Sequence, residues 1–232
     1  MRTFLVFAVP LSLALAGSAE AASRTFGITD YTKVRIEGPY KVTLKTGVAP
    51  FAQASGSSVA LDRVAIEVRG DTLVVHTDKN AWGGYPGEDP GPVEVAIGTH
   101  DLSNVSLTGA GSLGIDRVTG LSFVVAVQGS GAVQIDDVAA DQFSVSLAGT
   151  ASARLAGRTK RLTATLRGLS ALDAAKLASP SAAVTTEGSA TVDAMATDTA
   201  RVTASGPGTI RFSGHPACEL HLTGSTNVSG CK

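Results

Sequence analysis

Seven glycines recur at nearly constant spacing along this chain: Gly109, Gly129, Gly149, Gly168, Gly188, Gly206 and Gly224. The spacing is nearly even over the first four steps and tightens slightly over the last two. A fixed period of about 20 residues marks a repeat architecture. Two and four residues before each glycine stand Val105/Leu107, Val125/Val127, Val145/Leu147, Ala164/Leu166, Val184/Thr186, Val202/Ala204 and Leu220/Leu222, all apolar except Thr186. The residues between them are polar in twelve of fourteen cases, as in Ser106/Thr108 and Thr203/Ser205. Alternation of period two specifies a strand with one buried face. Four residues after the glycine come Leu113, Val133, Ala153, Leu172, Val192, Ile210 and Val228, without exception apolar. Each repeat therefore reads as strand, glycine corner, strand, then a connecting segment such as residues 117–120. Glycine at the corner admits a positive φ at no steric cost.

A unit of about 20 residues with short strands cannot bury its own apolar face, so neighbouring units must stack. Each strand then pairs with its counterpart one coil away at ~4.8 Å. The expected fold is all-β: a parallel β-helix, or β-solenoid, with coils of about 20 residues and a strand-rich N-terminal extension. Propeller blades need ~40 residues each, and sandwich strands would not keep so constant a register. Val34, Ile36, Gly38, Val42 and Leu44 fit the same template, which makes Gly38 an eighth corner far upstream. Between Gly38 and Gly109 the pattern is interrupted. Residues 64–68 and 72–77 predict a hairpin around Gly70-Asp71. A loop over 80–92 precedes another strand at 93–97.

The segment 1–22 reads differently. Arg2 precedes an apolar run from Phe4 to Ala16, and Ala19-Glu20-Ala21 is a small-x-small cleavage pattern. This is the pattern of a secretory signal peptide. The run is too short for a typical membrane span, and no later segment approaches ~20 apolar residues. The expected organisation is a signal peptide over 1–22, a strand-rich N-terminal part of the solenoid over 23–98, and regular coils with a cap over 99–232. The expected location is exported, either periplasmic or at the cell surface.

Composition sharpens two points. A net charge of −1 gives no electrostatic support for nucleic-acid binding. Aromatic residues make up only 5%, so the interior must be thin and filled by Val, Ala, Leu and Ile. The two cysteines, Cys218 and Cys231, read as a disulfide in an exported chain. His215 and His221 flank Cys218 and raise a zinc site as the rival.

The glycine-cornered repeats, with the block Val-Arg-Ile-Glu-Gly-Pro-Tyr-Lys-Val-Thr-Leu over 34–44, resemble the GIN domain family of autotransporter adhesin heads. The resemblance is carried by residues 34–44, 102–115, 125–135 and 145–155 and by weaker coils to Gly224. It implies a right-handed parallel β-helix exported to the bacterial envelope. Some later coils depart from the pattern, as at Gly168-Leu169-Ser170.

Candidate chemistry must sit on outward positions. Seven residues after the glycine, Asp116 and Asp136 stack as neighbours, with Asp137 beside them. Stacked carboxylates repel unless a cation or proton intervenes, so a calcium site or an acidic polysaccharide-active cleft is the sharp reading and solvated turn residues the plain one. Arg154 over Asp173 and Asp193 beside Arg211 are expected cross-strand ion pairs. Arg154, Arg158, Lys160, Arg161 and Arg167 form a basic patch suited to an anionic surface or to a solvated turn. Arg69-Gly70-Asp71 fits a hairpin turn. Trp82 and Tyr85 lie on the 80–92 loop, where exposed aromatics can stack on sugars or plug the solenoid. No nucleophile–histidine–acid grouping, phosphate loop or dinucleotide fingerprint is visible. The expectation is an exported, non-enzymatic binding module without cofactor or metal, contacting an envelope glycan or surface partner through Trp82, Tyr85, Asp116, Asp136 and Asp137. The alternative is a polysaccharide lyase or hydrolase on the acidic face.

Overall fold

A computed structural model describes residues 22–78 and 91–232. Trp82, Tyr85 and the expected signal peptide up to residue 21 lie outside the described residues. The fold is a β-solenoid of about six turns with coils of ~20 residues.

The regular part is built from β8 (Asn104–Gly109), β9 (Ser112–Gly129), β10 (Ala132–Gly149), β11 (Ser152–Gly168), β12 (Ala171–Glu187), β13 (Ala190–Ser205), β14 (Gly208–Ser213), β15 (Ala217–Thr223) and β16 (Thr226–Ser229). Each long strand pairs in parallel with the next, β9 with β10, β10 with β11, β11 with β12 and β12 with β13. Three walls result. The first leads up to a glycine, as in 143–149. The second follows it, as in 152–156. The third closes the coil, as in 157–161. Residues 117–120, expected as a connector, are part of this ladder: Arg117 to Gly120 pair with Asp137 to Ala140. The bend shows only as a break in alternation, since Asp116 and Arg117 are both exposed before Val118 turns inward.

The glycine corners form one column that starts at Gly38. A Cβ on Gly109 would touch the Gly38 backbone at 3.4 Å, and one on Gly149 would lie 2.5 Å from the Gly129 carbonyl oxygen. Both glycines have positive φ, 112° and 99°, so the corner is closed to other residues by conformation at both and by space as well at Gly149.

Inward columns make the core. In one of them, Phe123, Phe143, Leu162, Ala182, Ala200 and Cys218 follow one another by register. Side chains in this column shrink from the two phenylalanines to Ala182 and Ala200. Cys218 is bonded to Cys231, which joins β15 to the residues just past β16.

The N-terminal part adds β1 (Ala22–Phe26), β2 (Lys33–Glu37), β3 (Lys41–Thr46), β4 (Phe51–Gly56), α1 (Ser58–Asp62), β5 (Val64–Arg69), β6 (Thr72–Thr77) and β7 (Glu94–Thr99). Strands β2 and β3 form a coil directly beneath the Gly109 coil, β2 against β8 and β3 against β9. Below them lie β6 under β2 and β7 under β3, both parallel. The expected hairpin is present: β5 and β6 pair antiparallel, and Gly70 at the turn has a φ of 65°. Strand β4 runs antiparallel to β7, and β1 antiparallel to β4. Buried Tyr31 donates to the Gly98 carbonyl at 2.8 Å, and the Thr99 hydroxyl donates to the Tyr31 carbonyl. These bonds satisfy polar groups where the insertion rejoins the first coil.

Candidate functional site

The outward columns of the second wall carry the most varied chemistry. Register stacks Thr43, Gly114, Gln134, Arg154, Asp173, Asp193 and Arg211 in one column. Beside it run Lys41, Ser112, Ala132, Ser152, Ala171 and Thr191. Small residues in both columns leave a shallow channel of about 500 Å³ along the wall, with Lys41, Thr43, Gln134, Arg154 and Asp173 among its lining. Gly114 is the bare point of its floor, because a Cβ there would meet nothing within 4 Å.

Both expected ion pairs on this wall are present. Arg154 Nε donates to Asp173 Oδ2 at 3.2 Å, and Arg211 lies 3.5 Å from Asp193. Asp173 and Asp193 are direct neighbours, so each arginine offsets a carboxylate pair that would otherwise repel. All these groups are solvent-exposed, which limits each pair to a few tenths of a kcal/mol up to ~1 kcal/mol.

The aspartates sit at the edge of the channel, where the second wall bends into the third. The repeat register sets Asp136 over Asp116 and Asp137 over Arg117. Each has its own partner. Asp116 Oδ1 accepts from the Thr46 and Arg117 amides at 3.0 and 2.7 Å. Asp136 accepts from Gln134 Nε2 at 2.8 Å, and Asp137 from Arg117 Nε at 3.0 Å. The three carboxylates keep separate partners, and none lines the channel. Among the described residues no group of three His, Cys, Asp or Glu side chains is placed to hold a metal ion.

The basic patch is divided. Arg154, Lys160 and Arg167 each meet an acid one coil away, Lys160 with Asp141 at 2.8 Å and Arg167 with Glu187 at 2.9 Å. Arg158 and the Lys160–Asp141 pair border a second groove on the third wall, about 480 Å³, lined also by Ala139, Ala140, Ala178 and Pro180. In the hairpin, Arg69 pairs with Glu67 and Asp71 with Lys33, so both charged residues of that turn are engaged within the fold. The zinc alternative at Cys218 is overturned by its bond to Cys231.

Carboxyls held by basic partners titrate low. Hydrogen bonds from His76 and then Arg69 hold Glu67 below the ordinary carboxyl range. Those from His221 and Arg201 do the same for Glu219, and Lys33 does so for Asp71. Burial pushes the Tyr31 hydroxyl well above the usual tyrosine range, which keeps it a neutral donor to Gly98.

The channel itself escapes a reading of single residues. Its signal is the one glycine, Gly114, in an outward column whose other members are polar or charged.

Comparison with known proteins extends this picture. A family model described as "Putative auto-transporter adhesin, head GIN domain" matches residues 30–216. No curated protein matches the chain by sequence. Among solved structures, a "putative adhesin" from Bacteroides fragilis NCTC 9343 is similar at a TM-score of 0.81 and 18% identity, over 91% of this chain and 97% of that one. A "putative adhesin" from Parabacteroides merdae ATCC 43184 gives 0.72 and 16%, over 91% and 96%. A "putative lipid binding protein" from Parabacteroides distasonis ATCC 8503 gives 0.69 and 19%, over 91% and 97%. At these identities the likeness is one of fold.

Proposed function

The chain belongs to the GIN domain family of auto-transporter adhesin heads, and on that premise we propose that it is an exported, non-enzymatic binding module whose second wall holds a glycan of the cell envelope. The observation that carries this reading is the channel over Gly114. It offers hydroxyl, amide, ammonium and guanidinium groups from Thr43, Ser112, Gln134, Lys41 and Arg154, repeated at the spacing of a strand ladder. A flat array of that kind suits an extended polar chain with many hydroxyls. In the same reading Asp116, Asp136 and Asp137 form the rim of the site, and Trp82 and Tyr85 are further ligand contacts.

Hydrolysis of a polysaccharide would need two carboxyls facing one glycosidic bond. The separate partners of Asp116, Asp136 and Asp137 favour binding over hydrolysis.

A glycan array probed with the chain tests the proposal. Capture of a defined glycan class is expected, abolished by Gly114→Trp, which fills the channel floor, with thermal unfolding unchanged. A folded chain that captures no glycan, or a Gly114→Trp variant that binds as well as the parent, overturns it.

A further inference from the structure

Arginines on the regular coils follow a rule of register. Arg117, Arg154, Arg167, Arg201 and Arg211 each pair with an acid on a neighbouring coil. Opposite-charge neighbours of this kind are how a strand ladder accommodates charge. Arg158 and Arg161 break the rule, and both lie on the third wall. Register sets Arg158 between Ala139 and Ala178, and Arg161 between Gln142 and Ser181, so neither has an acid for a neighbour.

Arg158 stands in the groove of about 480 Å³ on that wall. The groove crosses four coils, from Ala139 through Arg158 and Ala178 to Thr197. Three ladder steps make it ~14 Å long. Ala139, Ala178 and Pro180 alternate with the buried residues Val138, Ala140, Leu177 and Ser179, so they turn methyl and ring carbons outward into the groove. The polar side chains that line it are engaged within the fold, with one exception. Lys160 is paired with Asp141. The Thr159 hydroxyl donates to the Asp141 and Arg161 carbonyls, the Ser179 hydroxyl to the Met195 carbonyl and the Thr197 hydroxyl to Asp198. The exposed guanidinium of Arg158 alone has no partner among the described residues.

We propose that this groove binds one long-chain carboxylate of the fatty-acid class, its head group on Arg158 and its alkyl chain along Ala178 and Pro180. A guanidinium presents parallel N–H donors that match a planar carboxylate two-for-two, and one unmatched cation calls for one negative charge. The apolar lining would gain nothing from a simple anion, whereas an alkyl chain laid on it leaves water. Extension over four coils suits a chain rather than a compact ring. Asp116, Asp136, Asp137, Asp141 and Asp198 lie on this wall and its bends. They set the face as a whole against an anionic bilayer and leave the attraction local to Arg158. The groove is separate from the channel over Gly114 and does not rest on glycan binding.

Equilibrium dialysis of the chain against dodecanoate, kept below its micelle concentration, tests the proposal. Saturable uptake of one dodecanoate per chain is expected. Hexanoate should bind more weakly, since each methylene placed on the groove contributes up to about fourfold. Arg158→Gln should weaken binding roughly tenfold, and Ala178→Phe, which fills the groove, should abolish it. Both positions face outward, so thermal unfolding of these variants should match the parent. Arg167→Gln on the first wall and Gly114→Trp in the channel should bind dodecanoate as the parent does. A folded chain that takes up no dodecanoate overturns the site, as does an Arg158→Gln or Ala178→Phe variant that binds like the parent. Hexanoate bound as tightly as dodecanoate overturns the alkyl chain and leaves a plain anion contact. Retention on phosphatidylglycerol vesicles without uptake of dissolved dodecanoate overturns the single molecule in favour of a bilayer surface.

Discussion

Phe143 lies directly on Phe123 in the solenoid core, the ring centroids 5.7 Å apart and the planes nearly parallel at 23°. Both are fully buried, and they are the largest members of their column. Because each coil touches only its neighbours, stability is close to a sum of coil and interface contributions. Phe143→Ala removes the filler shared by two interfaces and should cost about 3–5 kcal/mol. Urea unfolding followed by circular dichroism measures this, and a loss below about 1 kcal/mol would show that the column collapses around the gap.

The corner glycines and Gly114 should respond in opposite ways to the same change. Gly149→Ala places a Cβ 2.5 Å from the Gly129 carbonyl oxygen at a φ of 99°, with backbone strain alone on the order of 1–3 kcal/mol. Gly114→Ala meets open space and should be neutral, or stabilising by a few tenths of a kcal/mol to ~1 kcal/mol through the unfolded state. The two melting temperatures, compared side by side, check the corner geometry.

The Cys218–Cys231 bond spans 13 residues, for which chain-entropy arguments give ~3 kcal/mol. Its loss should act locally, since it closes the last coil. Cys218→Ser/Cys231→Ser should raise hydrogen exchange in β15 and β16 while leaving β9 and β10 protected. Uniform loss of protection along all coils would contradict this placement.

Acid should weaken the fold through Glu67, Asp71 and Glu219. Their folded pKa values are depressed, so each contributes stability that is complete above its ordinary pKa, 4.5 for glutamate and 3.8 for aspartate. That contribution is lost as the pH falls through the folded value. Thermal unfolding should therefore be flat above that range with respect to these groups and decline below it. Glu219→Gln should make the decline shallower, and an unchanged acid limb would remove Glu219 from the account.

Much of the architecture was legible because it repeats. Period-two alternation around Gly109 to Gly224 placed the first and second walls, and the same template reached back to Gly38. The third wall was harder, since it has only one or two inward residues per coil, Val118 alone in one and Val138 with Ala140 in the next, too few to show alternation in the sequence. Register was legible as arithmetic: stepping forward by one glycine interval sets Arg154 against Asp173 and Asp193 against Arg211. The channel was not, because its floor is defined by a missing side chain at Gly114 and by neighbours that are merely small. Strands β1 and β4 were hidden for a related reason, as their antiparallel pairing follows no part of the repeat.

The N-terminal insertion sets an order of events. Strand β10 finds its partner β9 in the preceding repeat, whereas Lys33 of β2 pairs with Asn104, across the whole insertion. Closing the longer loop costs more entropy and slows pairing. During synthesis, β2 and β3 exist well before β8 and β9, and for that interval their upper edges have nothing to pair with. The first coil to be made is thus among the last to be completed, and the oldest part of the chain depends on the younger coils for its template.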